Sequence, residues 1–211
     1  MKTHHYIIAV AAMAAIIAGS NYLVQFPVHM HLGALNLADL LTYAAFTFPV
    51  AFLVTDLVNR LFGSSAARKV VYAGFAIAVI VSIIVASPRI AIASGAAFLT
   101  GQLLDVSIFE KLRSGQWWKA PLVSSTIGAV LDTAIFFSLA FSSHAVFLGA
   151  GLDFAVQPAP LLGVMATEAP RWVSWALGDL VVKVSMALVL LAPYGVLWRL
   201  FERALGKASA A

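Results

Sequence analysis

Six long apolar stretches, separated mostly by short polar segments, dominate the pattern of this sequence. A helix needs roughly 20 mostly apolar residues to cross a hydrocarbon layer about 30 Å thick. The stretches of about that length lie at about residues 6–26, 37–57, 70–87, 90–109, 121–141 and 174–198. The pattern therefore predicts an all-α integral membrane protein, a compact bundle of six transmembrane helices formed by a single domain over residues 1–211.

The connection between the last two stretches is long and differs from the others. Residues 142–171 are fairly apolar, but Asp153, Gln157 and two prolines interrupt any continuous spanning helix. We expect an interfacial helix or a folded lid there rather than a seventh span. The first apolar run is longer than a secretory signal, so we also expect an uncleaved first helix.

The composition agrees with a membrane protein and excludes a soluble globular domain. Hydrophobic residues make up 62% of the 211 residues and charged residues only 10%. A soluble domain carries about 25% charged residues, because it has to cover its surface with them. The chain has no cysteine, which excludes disulfides and thiolate metal sites.

The basic residues indicate how the bundle is oriented. Ten of the thirteen Lys and Arg residues flank one common set of helix ends, namely Lys2, Arg60, Arg68, Lys69, Lys111, Arg113, Lys119, Arg199, Arg203 and Lys207. Because positive residues favour the cytoplasmic side, both termini are predicted to be cytoplasmic and residues 142–171 extracytoplasmic. These loop residues also account for the net charge of +4, and no basic face with interleaved aromatic residues indicates nucleic-acid binding.

Ionisable side chains within the predicted spans are candidates for function. Each costs at least about 2.5–3.5 kcal/mol in the middle of a membrane helix. Asp132 and Gln102 lie near the midplane, and Lys183 lies within the sixth span with Asp179 one turn away. The last two could instead neutralise each other as an internal ion pair. Asn21 lies in the outer third of the first span.

Two further aspartates lie near the cytoplasmic ends of their spans. Asp105 shares a helix face with Gln102, whereas Asp56 could simply pair with Arg60 one turn away. The segment GQLLDVSIF at 101–109 resembles GAVLDTAIF at 128–136 in five of nine positions. Each has a glycine one turn before its aspartate, and small residues at this spacing let helices approach closely. We interpret the likeness as shared packing rather than duplication, with both aspartates facing the bundle interior.

Enzyme and metal motifs are weak or missing in this sequence. There is no HExxH or P-loop pattern, and Ala176 stands where an intramembrane aspartyl protease has the first glycine before Gly178-Asp179. His29 and His31 lack carboxylate neighbours, and loop polarity accounts for them. We therefore expect no catalytic residues, no metal and no cofactor.

Several segments in order resemble the queuosine precursor transporter family, also called the vitamin uptake transporter family. They are SNYLVQFPV at 20–28, TFPVAFLVTDLVNRLFG at 47–63, RIAIASGAAFLTGQLLDVSIFEKLR at 89–113, WWKAPLVSSTIGAVLDTAIFFSLAF at 117–141, and the last helix with Asp179, Lys183 and Pro193-Tyr194-Gly195. The resemblance runs from about residue 20 to residue 200, and no function is carried over to 142–171.

The resemblance implies one transporter domain in the cell inner membrane. Its substrates would be 7-cyano-7-deazaguanine and 7-aminomethyl-7-deazaguanine, imported for salvage into tRNA modification. One alternative is a substrate-binding membrane subunit for another vitamin-like or purine-like solute that works with an energising partner. Another is a structural membrane protein without a ligand. Partners would be the small molecule and the lipid bilayer, and a homodimer is possible for so small a bundle.

The chemistry of such a base selects site residues from this inventory. A guanine-like edge presents N1–H and an exocyclic amine side by side, which a carboxylate accepts in bidentate fashion. Asp132 or Asp105 is the expected partner, while Gln102 and Asn21 suit the O6 edge. Asp179 and Lys183 complete the expected polar set.

Other expected site residues are aromatic or lie at the outer end of the bundle. The rings that could stack on the base are those of Tyr22, Phe46, Phe48 and Phe136. Arg89, at the extracytoplasmic end of the fourth span, could guide or gate. The aminomethyl base is a cation that gains about 2.3 kcal/mol per 100 mV on moving inward, whereas the cyano base is neutral. Uptake is therefore expected either to follow the membrane potential or to use a proton carried by Asp132 or Asp105.

Overall fold

The computed structural model describes residues 1–206, and within them six helices are long and apolar enough to cross a membrane. They are Thr3–Leu23, Ala44–Phe62, Ser64–Ile84, Pro88–Leu112, Lys119–Phe141 and Arg171–Val189. The predicted all-α bundle with six spans is confirmed. Of the ten basic residues assigned to one side, Lys207 lies outside the described residues.

The helices are joined by short loops and two small antiparallel hairpins. In chain order the elements are α1 (Thr3–Leu23), β1 (His31–Leu32), β2 (Leu35–Asn36), α2 (Ala44–Thr47), α3 (Val50–Phe62), α4 (Ser64–Val85), α5 (Pro88–Leu112), α6 (Lys119–Phe141), α7 (Asp153–Val156), β3 (Pro158–Pro160), β4 (Glu168–Pro170), α8 (Arg171–Val189) and α9 (Leu191–Ala204). Residue His31 pairs with Asn36 in the first hairpin, and Ala159 pairs with Ala169 in the second.

The second span differs from its predicted position at 37–57. Residues 37–39 form a 3-10 turn, and the span itself covers Ala44–Phe62, broken between α2 and α3 where Pro49 lacks a backbone N–H. The apolar residues at its expected start pack sideways onto α8. This apolar cluster comprises Val28, Leu37, Leu40, Leu41, Ala45, Val182 and Met186. Hydropathy alone cannot separate a leucine that packs on a neighbouring helix from one that faces lipid.

The prediction of one continuous helix over 174–198 is wrong. Helix α8 ends at Val189, and α9 begins at Leu191. Pro193 lies in the first turn of α9, where its missing N–H has no partner to lose. Helix α9 then returns to pack on α3, with Tyr194 buried against Phe109 of α5.

Helices α5 and α6 cross at their two glycines. A Cβ atom on Gly101 would lie 3.0 Å from Cβ of Asp132 and 3.1 Å from the carbonyl oxygen of Gly128. A Cβ atom on Gly128 would lie 3.1 Å from the carbonyl oxygen of Gly101 and 3.3 Å from Cβ of Asp105. The close approach expected from the small residues is confirmed, and the two similar segments are in contact with each other.

The connection 142–170 is folded, and among the described residues it contains no helix long enough to cross a membrane. It comprises a 3-10 segment at Ser143–Leu148, the short helix α7 and the β3–β4 hairpin. Arg89 ties it to the bundle, because the guanidinium donates to the carbonyl oxygens of Leu139, Ser142 and Gly149. We call this end of the bundle the connection side, and the end with the start of α1 and with α9 the terminal side.

Candidate functional site

A large cavity lies inside the bundle towards the connection side. Its volume is about 980 Å³, at the upper end of the range for small-molecule sites. Helices α1, α4, α5, α6 and α8 form its walls, and the segments around Asp39, α7 and β3 border it on the connection side. A cavity of this size accepts a purine-sized molecule together with water.

The polar centre of this cavity is formed by Asp132, Lys183 and Asp179. The ammonium of Lys183 lies 2.6 Å from Oδ2 of Asp132 and 2.6 Å from Oδ2 of Asp179. The hydroxyl of Thr133 donates to the same oxygen of Asp179 at 2.7 Å and lies 3.2 Å from the ammonium. We call the three charged residues the charged floor.

The charged floor carries one unit of negative charge, because two carboxylates share a single ammonium. The ion pair between Asp179 and Lys183, which was one of two interpretations of the sequence, is present, and Asp132 from α6 joins it. The hydrogen bonds that the described residues make to the two carboxylates all end on Oδ2. Oδ1 of each aspartate therefore remains available to a ligand, and the Asp179 side chain is the more exposed, at 15% against 6% for Asp132.

Aromatic side chains form much of the apolar wall. The rings that line the cavity are Phe48, Phe98, Phe136, Phe137, Phe141, Phe154 and Trp175. Arg171 stacks over the ring of Phe154 at 4.3 Å, and its buried Nε has no hydrogen-bond partner among residues 1–206. Flat aromatic faces beside a few polar groups suit a planar heterocycle, which can stack and bind through its edge.

A second, smaller cavity lies on the terminal side of Lys183. Its volume is about 20 Å³, and Asp56, Ser125, Lys183 and Tyr194 are among its lining residues. Because Lys183 lines both cavities, the charged floor separates the large one from the small one.

Beyond the small cavity, an arginine and several aromatic rings close the bundle. Arg60 donates through Nε to the hydroxyl of Tyr194 at 2.9 Å, and its other nitrogens bind the carbonyl oxygens of Arg113 and Trp117. The ring of Tyr194 stacks between those of Trp117 and Trp198. We call these five residues the terminal plug. Arg60 is thus bound here and does not pair with Asp56, contrary to the simplest expectation from the sequence.

The structure brings four of the expected polar site residues to the large cavity. Asp132, Asp179 and Lys183 form its floor, and Asn21 lines its wall while its amide nitrogen donates to the carbonyl oxygen of Ile17. Phe48 and Phe136, expected as stacking rings, also line it.

The other expected residues lie elsewhere in the described structure. Gln102 and Asp105 are buried between helices, and the carbonyl of Gln102 accepts a hydrogen bond from Thr55 at 2.6 Å. Tyr22 and Phe46 are 62% and 36% exposed and do not line the cavity. Arg89 is buried and holds the connection 142–170, as described above, so its charge does not reach the cavity.

Sequence reasoning did not single out several residues of the site. Thr133 follows Asp132 and lies on a face shared with Phe137, but threonine is common in membrane helices. Trp175 lines the cavity, but a tryptophan near the end of a span is typical of an interfacial anchor and gives no signal of a site. Ser125 gave no signal, because its partners Asp56 and Asp105 come from two other helices.

This chain is similar to known proteins over most of its length. A family model described as "Putative vitamin uptake transporter" matches residues 42–87 and 82–197. The "Queuosine precursor transporter" of Escherichia coli (strain K12) is 34% identical over 217 aligned positions, covering 92% of this chain and 86% of the relative. The chain belongs to the queuosine precursor transporter family. Its resemblance to that family, predicted from the sequence, is confirmed.

A second member of the queuosine precursor transporter family gives the same extent of similarity. The "Probable queuosine precursor transporter" of Haemophilus influenzae (strain ATCC 51907 / DSM 11121 / KW20 / Rd) is 35% identical over 218 aligned positions, covering 90% of this chain and 85% of the relative. No solved structure gives a significant match. The chain is accordingly a multi-pass membrane protein of a transporter family.

Proposed function

We propose that this chain imports 7-cyano-7-deazaguanine and 7-aminomethyl-7-deazaguanine across the inner membrane, for salvage into tRNA modification. The observation that carries the proposal is the charged floor at the end of an aromatic cavity. The names of the two relatives support the class of substrate. We assign the chain no catalytic role.

The charged floor suits the edge that the two bases share. N1–H and the exocyclic amine would donate to the free oxygens of Asp179 or Asp132, and charge-assisted hydrogen bonds of this kind are stronger than neutral ones. Stacking on a ring such as Phe136 or Phe48 would contribute about 1–3 kcal/mol. The net negative charge further favours the aminomethyl base, since its cation neutralises the floor within a region of low dielectric constant.

The orientation proposed from the basic residues places both termini in the cytoplasm. The connection side is then extracytoplasmic, and the large cavity faces the outside while the terminal plug closes the inside. This arrangement is a state ready to accept substrate from outside. Transport requires the plug to open and the cavity to close towards the connection side.

Reconstitution of the purified chain into liposomes tests this proposal. We expect saturable uptake of both 7-deazaguanines in the absence of ATP, with weaker competition by guanine and none by biotin. Uptake that requires an added ATP-driven partner would instead favour a binding subunit. Absence of saturable binding of either base would contradict the proposal and favour a structural role.

A further inference from the structure

Four aspartates lie inside the described bundle, and they differ in how their charge is compensated. Asp132 and Asp179 each contact the ammonium of Lys183 at 2.6 Å. Asp56 and Asp105, which are 2% and 0% exposed, form no ion pair with any residue of the described range 1–206. A buried carboxylate without a cation is costly, and such groups commonly avoid the cost by binding a proton.

Asp56 and Asp105 meet at a single serine hydroxyl. Oγ of Ser125 lies 3.1 Å from Oδ2 of Asp56 and 3.4 Å from Oδ1 of Asp105. The two carboxyl groups therefore approach the same hydroxyl oxygen from two different helices. The remaining oxygens, Oδ1 of Asp56 and Oδ2 of Asp105, have no partner among the described residues.

The number of hydrogen atoms available for hydrogen bonds to Asp56 and Asp105 indicates how many of the two carboxyl groups are ionised. A hydroxyl has one hydrogen and can donate to only one carboxylate at a time. If both carboxyl groups were ionised, two negative charges would lie together in a buried site whose nearby donors, the hydroxyls of Ser125 and Ser124, are neutral. One proton on the pair removes one charge and supplies the missing donor. The geometry therefore fits a pair of carboxyl groups that shares one proton, as closely spaced carboxylates do.

The charged and titratable groups around the pair do not replace this proton. Arg60 lies one turn from Asp56 on α3, but its N–H groups donate to other residues of the terminal plug. Tyr194 of α9 and Lys183 of α8 line the small cavity together with Asp56. Of these, the hydroxyl of Tyr194 accepts a hydrogen bond from Arg60, and the ammonium of Lys183 donates to Asp132 in the charged floor.

We propose that Asp56, Ser125 and Asp105 form a proton-binding site, and that each substrate molecule enters together with one proton carried there. The inference rests on the proposed function, because it adds a co-transported ion to the same import. It assigns the proton to a site separate from the charged floor, where the ammonium of Lys183 contacts both carboxylates.

The small cavity provides the route by which this proton leaves towards the terminal side. Asp56 and Ser125 line it, and its volume of about 20 Å³ is sufficient for about one water molecule. An incoming proton forms an O–H bond to one carboxyl oxygen and leaves by transfer from that oxygen to water on the cytoplasmic side. No electron pair is gained or lost by the protein.

Arg60 supplies the link between proton release and opening. When the terminal plug opens, Arg60 loses its bonds to Tyr194 and to the carbonyl oxygens. It is then free to compensate Asp56 one turn away on the same helix, and an approaching cation favours the ionised carboxylate. The proton is therefore released on the side where substrate leaves.

Uptake of the neutral cyano base into liposomes tests the coupling without a contribution from substrate charge. With the membrane potential clamped at zero, an inward proton gradient of one pH unit is expected to drive about tenfold accumulation, the equilibrium for one proton per substrate. Asp105→Asn should abolish accumulation while exchange of the base continues, since the asparagine amide donates like a protonated carboxyl. Glu110→Gln, at an exposed ion pair on the same helix, should behave as the unmodified chain.

Infrared spectroscopy of the purified chain tests the proton site without substrate. A protonated carboxyl band is expected at neutral pH, and it should disappear in Asp105→Asn and in Asp56→Asn but persist in Glu110→Gln. Absence of this band in the unmodified chain overturns the site. A normal band combined with uptake that ignores the pH gradient overturns the coupling.

The two experiments also separate this inference from the proposed function. Saturable uptake that is independent of the gradient leaves the import proposal standing and removes the proton. Absence of binding of both bases removes the import proposal, and with it the coupling, whereas the infrared band still decides whether the carboxyl pair holds a proton.

Discussion

Lys183 compensates two aspartates at once, so its removal should have a larger effect than the loss of one ion pair. Lys183→Met leaves two buried carboxylates, and losing one partner of a buried pair costs about 3–5 kcal/mol. We expect a loss of stability of that size in denaturant unfolding. Lys183→Met combined with Asp132→Asn restores the original net charge and should recover part of the loss. Lys119→Met, exposed at the start of α6, is the control and should be neutral.

Asp179 has the most accessible carboxylate of the charged floor, and its replacement should affect ligand binding more than folding. Asp179→Asn keeps the shape but removes the charge that we propose accepts hydrogen bonds from the base, and hydrogen bonds to charged groups are worth about 1.5–3 kcal/mol. We therefore expect affinity for the aminomethyl base to fall about tenfold to a hundredfold in a direct binding measurement. Asp153→Asn, at an exposed position at the start of α7, should leave affinity unchanged. Equal affinities of the two variants would exclude Asp179 from the site.

At the scale of the helices, the α5–α6 crossing tolerates no added methyl group. A Cβ on Gly101 would lie 3.0 Å from Cβ of Asp132, so Gly101→Ala should force the helices apart and cost about 1–3 kcal/mol. Gly19→Ala is the matched control in α1, where nothing lies within 4 Å of the added atom. In thermal unfolding, the midpoint temperature should be lower for Gly101→Ala than for the unmodified chain, and unchanged for Gly19→Ala. Equal midpoints would mean that the crossing is looser than described.

Arg89 joins the start of α5 to the connection 142–170. Arg89→Met removes three contacts with carbonyl oxygens, and we expect a stability loss of about 2 kcal/mol or more without a change in substrate affinity. Thermal unfolding and binding on the same sample measure both. Lys111→Met, exposed at the other end of α5, is the control. Reduced affinity with unchanged stability would restore the role of guide that the sequence suggested.

The sequence predicted helices well where a span stands alone and less well where it is broken or bordered by a packed loop. The apolar runs identify α1, α5 and α6 within a few residues, since each of these runs is a single helix long enough to cross the membrane. They cannot reveal that Leu37 and Leu40 pack against α8, or that the chain breaks at Leu190. Those features depend on a neighbouring helix.

The same limit applies to the site. Spacing within one helix predicted the Asp179–Lys183 pair, because residues one turn apart share a face. The addition of Asp132 and the meeting of Asp56 with Ser125 join side chains from different helices. The residue pattern of a single span cannot indicate these contacts, because they depend on how the helices pack against one another.

For the whole molecule, the absence of cysteine from the sequence allows the proposed state to be tested directly. Ser94→Cys, in the wall of the large cavity, should react with a membrane-impermeant thiol reagent added from outside, and substrate should protect it. Ala187→Cys, in the small cavity, should remain unreactive from that side because the charged floor separates the two. Labelling in spheroplasts measures both rates. Faster labelling of Ala187→Cys from outside would contradict the separation.

The glycine crossing has a mechanical consequence for the whole transporter. Asp132 packs against Gly101 on one side of the contact, and Asp105 packs against Gly128 on the other. Asp132 of the charged floor and Asp105 of the carboxyl pair therefore lie at the same helix crossing, each one helical turn from a glycine. A rotation of α6 against α5 at this crossing would displace both aspartates together, so one helix movement could change both sites at once.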